Sequence, residues 1–314
     1  MAILEHRGTR TRSVLLSRHL VGRSSLAHLR LNEPNVSGEH AVLSWDGRRW
    51  ELHDLGSRNG TTLDGKRLGA GERVAVKRGA VLGFAGAGNL WELVDDSPPV
   101  ALARPLDGGE PVCAEHELIA LPDAEAPEVT VYRDAVGDWV VERDGDTERT
   151  ADGREVSAGG RSFTLHLPDI VASTWDAESL APSLERLGLR FSVSRDEEFI
   201  AVTVLAEGGR TIDLGARAHH ALLLALARAR LEDQREAAQA PKGSGHPETR
   251  HGWLFLEDLA ESLKLDEMHL NVAVYRCRQQ LAGAGVTGAA RLIERRKPTR
   301  QLRLGVSRLE IVSV

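Results

Sequence analysis

The sequence predicts a multidomain chain of β plus α/β class. An N-terminal β-sandwich leads into a small β-rich middle region, and a C-terminal segment of strands and helices ends in a hairpin. Three observations predict this. Short alternating apolar runs separated by Gly, Asp and Asn fill the first hundred residues, no helical period of useful length occurs before about residue 175, and the charge is unevenly divided. Residues 1–100 carry 14 Lys/Arg against 11 Asp/Glu, residues 101–214 carry 10 against 24, and residues 215–314 carry 16 against 11, for a net of -6. With 314 residues, 41% hydrophobic and 27% charged, the chain has room for two or three cores. It has no apolar run of about eighteen residues that would span a bilayer, so no membrane partner is expected. The first residues lack the apolar stretch of a secretory signal. Cys113 and Cys277 lie far apart, which excludes a disulfide framework and a cysteine-rich zinc site, and a reducing cytoplasm is the expected compartment.

In order along the chain, strands are expected at Ser13–Leu16, His40–Trp45, Trp50–Leu55, Arg73–Val76, Ala80–Phe84 and Leu90–Val94. Turn signals recur at Asp46-Gly47, Asn59-Gly60 and Asp64-Gly65. Asp95-Asp96-Ser97-Pro98-Pro99 ends this first domain, because two prolines stiffen the chain and break a ladder, which places its boundary at residues 1–98. The middle region, 99–187, has expected strands at Val129–Tyr132, Trp139–Glu142 and Ser162–Leu167, and its last part, 169–187, reads as a connector carrying a short helix. Trp50, Asp64-Gly65-Lys66-Arg67-Leu68 and Gly71-Glu72-Arg73-Val74 are echoed by Trp139, Asp152-Gly153-Arg154-Glu155-Val156 and Gly160-Arg161-Ser162-Phe163. Asp and Arg stand 9 residues apart in both copies. A degenerate repeat and two unrelated β meanders with a common turn both account for the echo.

The last domain, 188–314, opens with strands at Arg190–Ser194, Phe199–Leu205 and Thr211–Leu214. Ala216 to Asp233 reads as a helix with Leu222, Leu223, Leu226 and Leu231 at helical spacing. A polar stretch over 234–252 follows, then a helix from Phe255 to Lys264 and a third, capped by Asp266, to about Leu281. Arg291–Arg296, the turn Lys297-Pro298-Thr299-Arg300 and Gln301–Leu304 read as a hairpin.

Three N-terminal clusters carry recognition chemistry: Gly22-Arg23-Ser24, Ser37-Gly38-Glu39-His40-Ala41 and Asp54-Leu55-Gly56-Ser57-Arg58-Asn59-Gly60-Thr61. Arg23 suits a forked, charge-assisted contact to a phosphate, with Ser24, Ser37 and Arg58 as further donors, and Asn59 has an amide able to pair with a peptide backbone. In combination, order and spacing, residues 12–96 resemble the forkhead-associated (FHA) domain. The resemblance implies an eleven-stranded sandwich whose apical loops bind phosphothreonine peptides. By that likeness Arg23 and Ser37 contact the phosphate, Asn59 holds the peptide main chain, and Arg58 takes the place of a variable polar residue near the ligand. His40 braces the loops, while Gly56 and Gly60 serve backbone geometry. Gly38 and Glu39 stand where the family often has basic or polar residues, and a carboxylate there weakens phosphate binding unless it points away. The second copy of the echo has no Ser-Arg-Asn-Gly loop.

The C-terminal order of strands, three helices and a hairpin matches a winged helix-turn-helix. Leu270, Val274, Cys277 and Leu281 form an apolar stripe on the third helix, leaving His269, Val272, Tyr275, Arg276 and Gln279 on the other face. Such a face suits base edges in a major groove, and Arg295, Arg296, Lys297 and Arg300 of the hairpin suit phosphates or a minor groove. Residues 189–305 resemble the effector domain of two-component response regulators, with residues 270–281 parallel to its recognition helix. The resemblance implies double-stranded DNA as a partner. The short Leu263–Asp266 link leaves little of the loop that contacts polymerase in that family. Acidic residues 101–214 are also placed to shield the basic end electrostatically.

No phosphate-binding loop, nucleophile elbow, zinc-protease helix or kinase signature occurs, so no catalytic residue and no cofactor is expected. His219-His220 has no third ligand, and no metal is expected. Together these readings describe a phosphothreonine-responsive transcription regulator, docked to a Ser/Thr kinase or its substrate. The alternative is an adaptor in a kinase pathway whose winged helix contacts protein.

Overall fold

The computed structural model describes residues 1–69, 71–86, 88–134, 136–168, 182–239 and 252–314. By contacts the chain forms two compact units. One is Met1–Ala101 together with Pro168, and the other joins Leu102–Leu167 to the described residues from Pro182 on.

The first unit is a two-sheet sandwich of eleven strands. Its five-stranded sheet runs Leu29–Arg30, Arg18–Gly22, Ala41–Trp45, Trp50–Asp54, Arg73–Val76. Its six-stranded sheet runs Arg12–Val14, Ile3–His6, Leu90–Asp95, Val81–Phe84, Thr61–Leu63, Lys66–Arg67. Alternation places Leu43, Trp50, Leu52, Leu82, Phe84 and Leu93 fully inside, the period-2 pattern of two facing sheets. All six expected strands form to within a residue or two at each end. Five more complete the eleven that the resemblance implies; their positions were not read from the residues, and Lys66–Arg67 is too short and polar to show alternation. Trp50 Nε1 donates to the Ser97 carbonyl at 3.1 Å, fastening the chain where the sandwich ends.

In the second unit, Leu102–Leu167 forms two four-stranded antiparallel sheets. One pairs Val112–Cys113, Leu102–Pro105, Arg161–His166 and Glu155–Ala158 in that order. The other is a meander of Ile119–Leu121, Val129–Arg133, Trp139–Arg143 and Asp146–Arg149. The echoed Asp-Gly turns share one device: Asp64 accepts from the Val81 amide and Asp152 from the Leu167 amide, each at 2.8 Å. The connector expected over 169–187 is described only from Pro182, where Leu184–Arg186 is a single 3-10 turn, and its remainder lies outside the described residues.

The rest of this unit has a four-stranded sheet, three helices and a hairpin. Gly188–Val193, Ile200–Leu205 and Thr211–Ala216 are antiparallel neighbours, and Arg308–Ser313 adds a parallel edge strand beside Gly188–Val193 that the sequence reading lacked. Helix α1 spans His220–Gln239, beginning later than expected because Ala216 still belongs to a strand. It ends later because Glu, Gln, Arg and Ala favour continuing it. Most of the polar 234–252 stretch, from residue 240 to 251, lies outside the described residues. Helix α2 spans Leu256–Leu263 and ends on Lys264 in the left-handed region, φ 54°. Helix α3 spans Glu267–Gly283, and its N-cap Asp266 accepts from the His269 amide. Leu270, Val274, Cys277 and Leu281 are buried as the stripe predicts, in a core with Leu222, Leu226 and Leu259. Ile293–Arg296 and Gln301–Leu304 pair as the expected hairpin, with Leu254–Phe255 as a third strand. Among the described residues no helix is long and apolar enough to cross a membrane.

Candidate functional site

At one end of the sandwich three connecting segments are tied together by backbone hydrogen bonds. The strand Arg18–Gly22 delivers Arg23, whose amide donates to the Ser37 carbonyl at 2.9 Å, while the Ser24 amide donates to the Gly38 carbonyl at 2.9 Å. The approach is so close that a Cβ on Gly22 would stand 2.1 Å from the Gly38 oxygen, which only glycine permits. Arg23 is exposed, and its Nε donates to the Val36 carbonyl at 3.3 Å. The Ser37 hydroxyl accepts from the Arg58 amide at 3.1 Å, and Asn59 Nδ2 donates to the Asn35 carbonyl at 2.6 Å. Asn35 in turn donates to the Ala85 carbonyl. The Ser24 hydroxyl turns back to accept from the Leu26 amide at 3.2 Å. Arg23, Ser24, Ser37, Arg58 and Asn59, remote in sequence, are thereby brought to one rim.

His40 is fully buried beneath this rim. Its Nδ1 accepts from the Ser37 amide at 3.2 Å and its Nε2 donates to the Gly60 carbonyl at 3.2 Å, so the ring is the neutral Nε2–H tautomer. Burial holds its pKa below the ordinary histidine value, against the opposite pull of the Gly60 carbonyl and Asp54. The ring meets Phe84 edge to face at 6.0 Å. Gly56 and Gly60 take φ of +79° and +84°, the left-handed turns their roles require.

Asp54 is a functional residue that the sequence reading left without a role. Its carboxylate accepts from the Gly56 and Ser57 amides at 2.9 Å and from the Ser57 and Thr61 hydroxyls at 2.6 Å. Burial works against its charge, yet the hydrogen bonds from Ser57 and Thr61 prevail and hold its pKa below the ordinary aspartate value. The signal was present: Asp-x-Gly-Ser is an Asx-turn sequence. Glu39, the departure from the FHA pattern, is exposed, and among the described residues no carboxylate forms an ion pair with Arg23 or Arg58. The arrangement is a hydrogen-bonded rim with exposed guanidinium groups and half-buried hydroxyl residues, suited to a multiply charged oxyanion.

The α3 face is built differently. His269 is exposed and its Nδ1 lies 2.7 Å from Asp266. Val272 and Tyr275, expected on an open face, are buried instead, Tyr275 because the meander packs over it. Tyr275 is 4% exposed, in an apolar cluster with Leu118, Ala120, Tyr132, Val140 and Ala290. Arg276 meets Glu125 at 3.3 Å, and Gln279 donates to Glu115. Arg278, on the same helix, is 3% exposed and meets Glu142 at 3.1 Å. Arg295 is largely buried, 3.7 Å from Glu142 and 2.7 Å from Asn271. Arg296 stacks 3.9 Å above Trp253, Lys297 pairs with Asp146, and Arg300 reaches Glu267 at 2.9 Å. His219 and His220 converge on Gln280 Oε1 at 2.8 and 2.7 Å, and among the described residues no three side chains cluster as metal ligands.

Residues 19–85 match the FHA domain family, so the chain carries an N-terminal FHA domain. A curated relative, the FHA domain-containing protein FhaB of Mycobacterium tuberculosis, is 40% identical over 57 residues, which span 18% of this chain and 37% of that protein. Among solved structures, an FHA domain from a study of phosphothreonine-dependent FHA interactions is 24% identical, covering 31% of this chain and 99% of its own, with a TM-score of 0.28. Mycobacterium tuberculosis EmbR, in complex with a low affinity phosphopeptide, is 20% identical, covering 31% of this chain and 25% of its own, with a TM-score of 0.28.

Proposed function

We propose that this chain is a phosphothreonine-responsive transcription regulator of the cytoplasm, with no enzymatic activity. In this reading the FHA sandwich docks a phosphothreonine segment of a Ser/Thr kinase or its substrate. The observation that carries it is the rim where Arg23, Ser37, Arg58 and Asn59 meet, held by the Ser37–Arg58 and Asn59–Asn35 hydrogen bonds. Exposed donors fixed in advance bind a dianionic ester with little ordering cost, whereas a bare hydroxyl gains only neutral hydrogen bonds from them. The test is polarisation binding to matched peptide libraries carrying phosphothreonine or threonine. Phosphopeptides are expected to bind more than about tenfold tighter, and equal binding of the two sets overturns the reading.

The C-terminal elements form a winged helix-turn-helix in the same proposal, binding double-stranded DNA through α3 and the hairpin. Support comes from the three-residue link between α2 and α3 and from the cationic hairpin turn. Four to six phosphate contacts predict a log–log salt slope of about -4 to -5. A second reading, an adaptor whose C-terminal elements contact only protein, is favoured by the burial of Val272 and Tyr275. Duplex affinity that is insensitive to neutralising Arg295, Arg296 and Lys297 selects the adaptor.

A further inference from the structure

Four polar contacts on α3 and the hairpin share one source. Ile119–Arg149, the meander, and the turn ahead of it supply Glu115, Glu125, Glu142 and Asp146, which meet Gln279, Arg276, Arg278 and Lys297 respectively. Between these polar contacts lies the apolar cluster around Tyr275. The fit is close. At Gly145, with φ +88°, a Cβ would stand 2.7 Å from the Arg295 Cβ, and at Gly283 of α3 a Cβ would stand 3.0 Å from His116 Nε2. Residues 102–167 carry 15 Asp/Glu against 6 Lys/Arg, so the segment facing α3 is itself polyanionic.

We infer that the meander is a detachable polyanionic cover for α3, occupying the surface that α3 and the hairpin would present to a duplex, so that the sheet and DNA compete for the same side chains. The inference rests on the DNA-binding reading for its consequence and on the meander contacts for its structure. Two features mark the contact as an interface rather than a shared core. Its apolar patch is small and is flanked on several sides by charged pairs, as an apolar centre with a polar rim is arranged. The stripe Leu270, Val274, Cys277 and Leu281 on the opposite side of α3 belongs to a separate, larger core with α1 and α2. The helix therefore keeps its own packing when the sheet leaves. At the centre, Glu142 accepts from Tyr132 at 2.8 Å and pairs with Arg278, which also donates to the Ile293 carbonyl at 2.7 Å. Losing the Glu142 carboxylate leaves two guanidinium groups without it, and DNA phosphates are the same chemical class of partner.

The test uses the full chain with a fluorescein-labelled random-sequence duplex and amide hydrogen exchange. Three proteins are compared with wild type: Glu142→Gln, the surface variant Glu125→Gln/Asp146→Asn, and a charge-matched control away from α3, Glu110→Gln/Glu155→Gln. Expected is faster exchange in α3 and the meander with α1 unchanged in the first two. Duplex affinity should rise about tenfold or more for Glu142→Gln, less for the surface variant, and no more than marginally for the control. Unchanged α3 exchange in both test variants overturns the cover. So does an equal gain in the control, which would reflect net charge alone, or wild type binding as tightly as the variants. Faster exchange with no duplex binding by any protein removes the DNA reading and leaves the cover standing. The surface variant keeps the result decisive if Glu142→Gln fails to fold.

Discussion

The apical rim of the sandwich and the outward face of α3 are both rich in guanidinium groups, yet they differ in what their neighbours are. Around Arg23 the partners are carbonyls and amides: Val36, Ser37 and Gly38 hold the loops, and among the described residues no carboxylate pairs with the charge. Around α3 the partners are carboxylates, with Glu125 on Arg276, Glu142 on Arg278 and Asp146 on Lys297. A backbone partner positions a cation without neutralising it, whereas a carboxylate does both. The lesson is that availability of a basic side chain for a ligand follows from the chemistry that positions it, and counting charges along a segment misses this.

The largest effect that sharpens this contrast is Arg23→Ala. Truncation removes an exposed forked donor, so phosphopeptide affinity should fall about 100-fold or more with no resolvable change in melting temperature. An affinity within a few-fold of wild type would show that the rim's charge is not what reads the ligand. On the α3 side the order of effects reverses. Tyr275→Ala should cost the second unit about 3–5 kcal/mol, because the ring is packed among Leu118, Tyr132 and Val140, while Tyr275→Phe should cost far less. Burial, with Glu115 adding to it, pushes the Tyr275 phenol up to about 12, so its ultraviolet titration should lie well above that of a free tyrosine. A Tyr275→Ala protein as stable as wild type in denaturant would place the ring on an open face and dissolve the contrast.

What the sequence disclosed divides along the same line. The rim was legible because its parts lie in three local clusters with turn residues between them, and local chemistry fixes local geometry: Gly60, read as a turn residue, takes a φ of +84°. The stripe Leu270, Val274, Cys277 and Leu281 was legible for a similar reason, since helical period alone sets it. The other face of α3 was not. By period Val272, Tyr275, Arg276 and Gln279 fall away from the stripe, and it is the segment 115–149, more than a hundred residues earlier, that buries Tyr275 and brings Glu125 and Glu115 to Arg276 and Gln279. No local pattern encodes a partner at that separation. Asp54 was missed for a different reason: it stands at the end of a strand, and its role is to gather the Gly56 and Ser57 amides, the Ser57 hydroxyl and, from the next strand along the chain, the Thr61 hydroxyl.

Asp54 also supplies the smallest of these effects, and the one that tests whether the rim is held by backbone chemistry alone. Asp54→Ala removes the acceptor of the buried Thr61 hydroxyl and of two amides, which should cost the sandwich about 1–3 kcal/mol. Because the folded pKa is depressed below the ordinary value of 3.8, the carboxylate's contribution is complete above that value and fades as pH falls through the folded one. Wild type should therefore lose its advantage over the variant on acidification, the two melting temperatures converging below about pH 4. At neutral pH the variant should bind phosphopeptide more weakly than wild type but more tightly than Arg23→Ala, since the guanidinium remains and only its setting loosens. A melting difference that stays constant down to low pH would mean that the charge on Asp54 does not hold the loop. The rim would then owe its shape to Gly22, His40 and the backbone ties between residues 23 and 38.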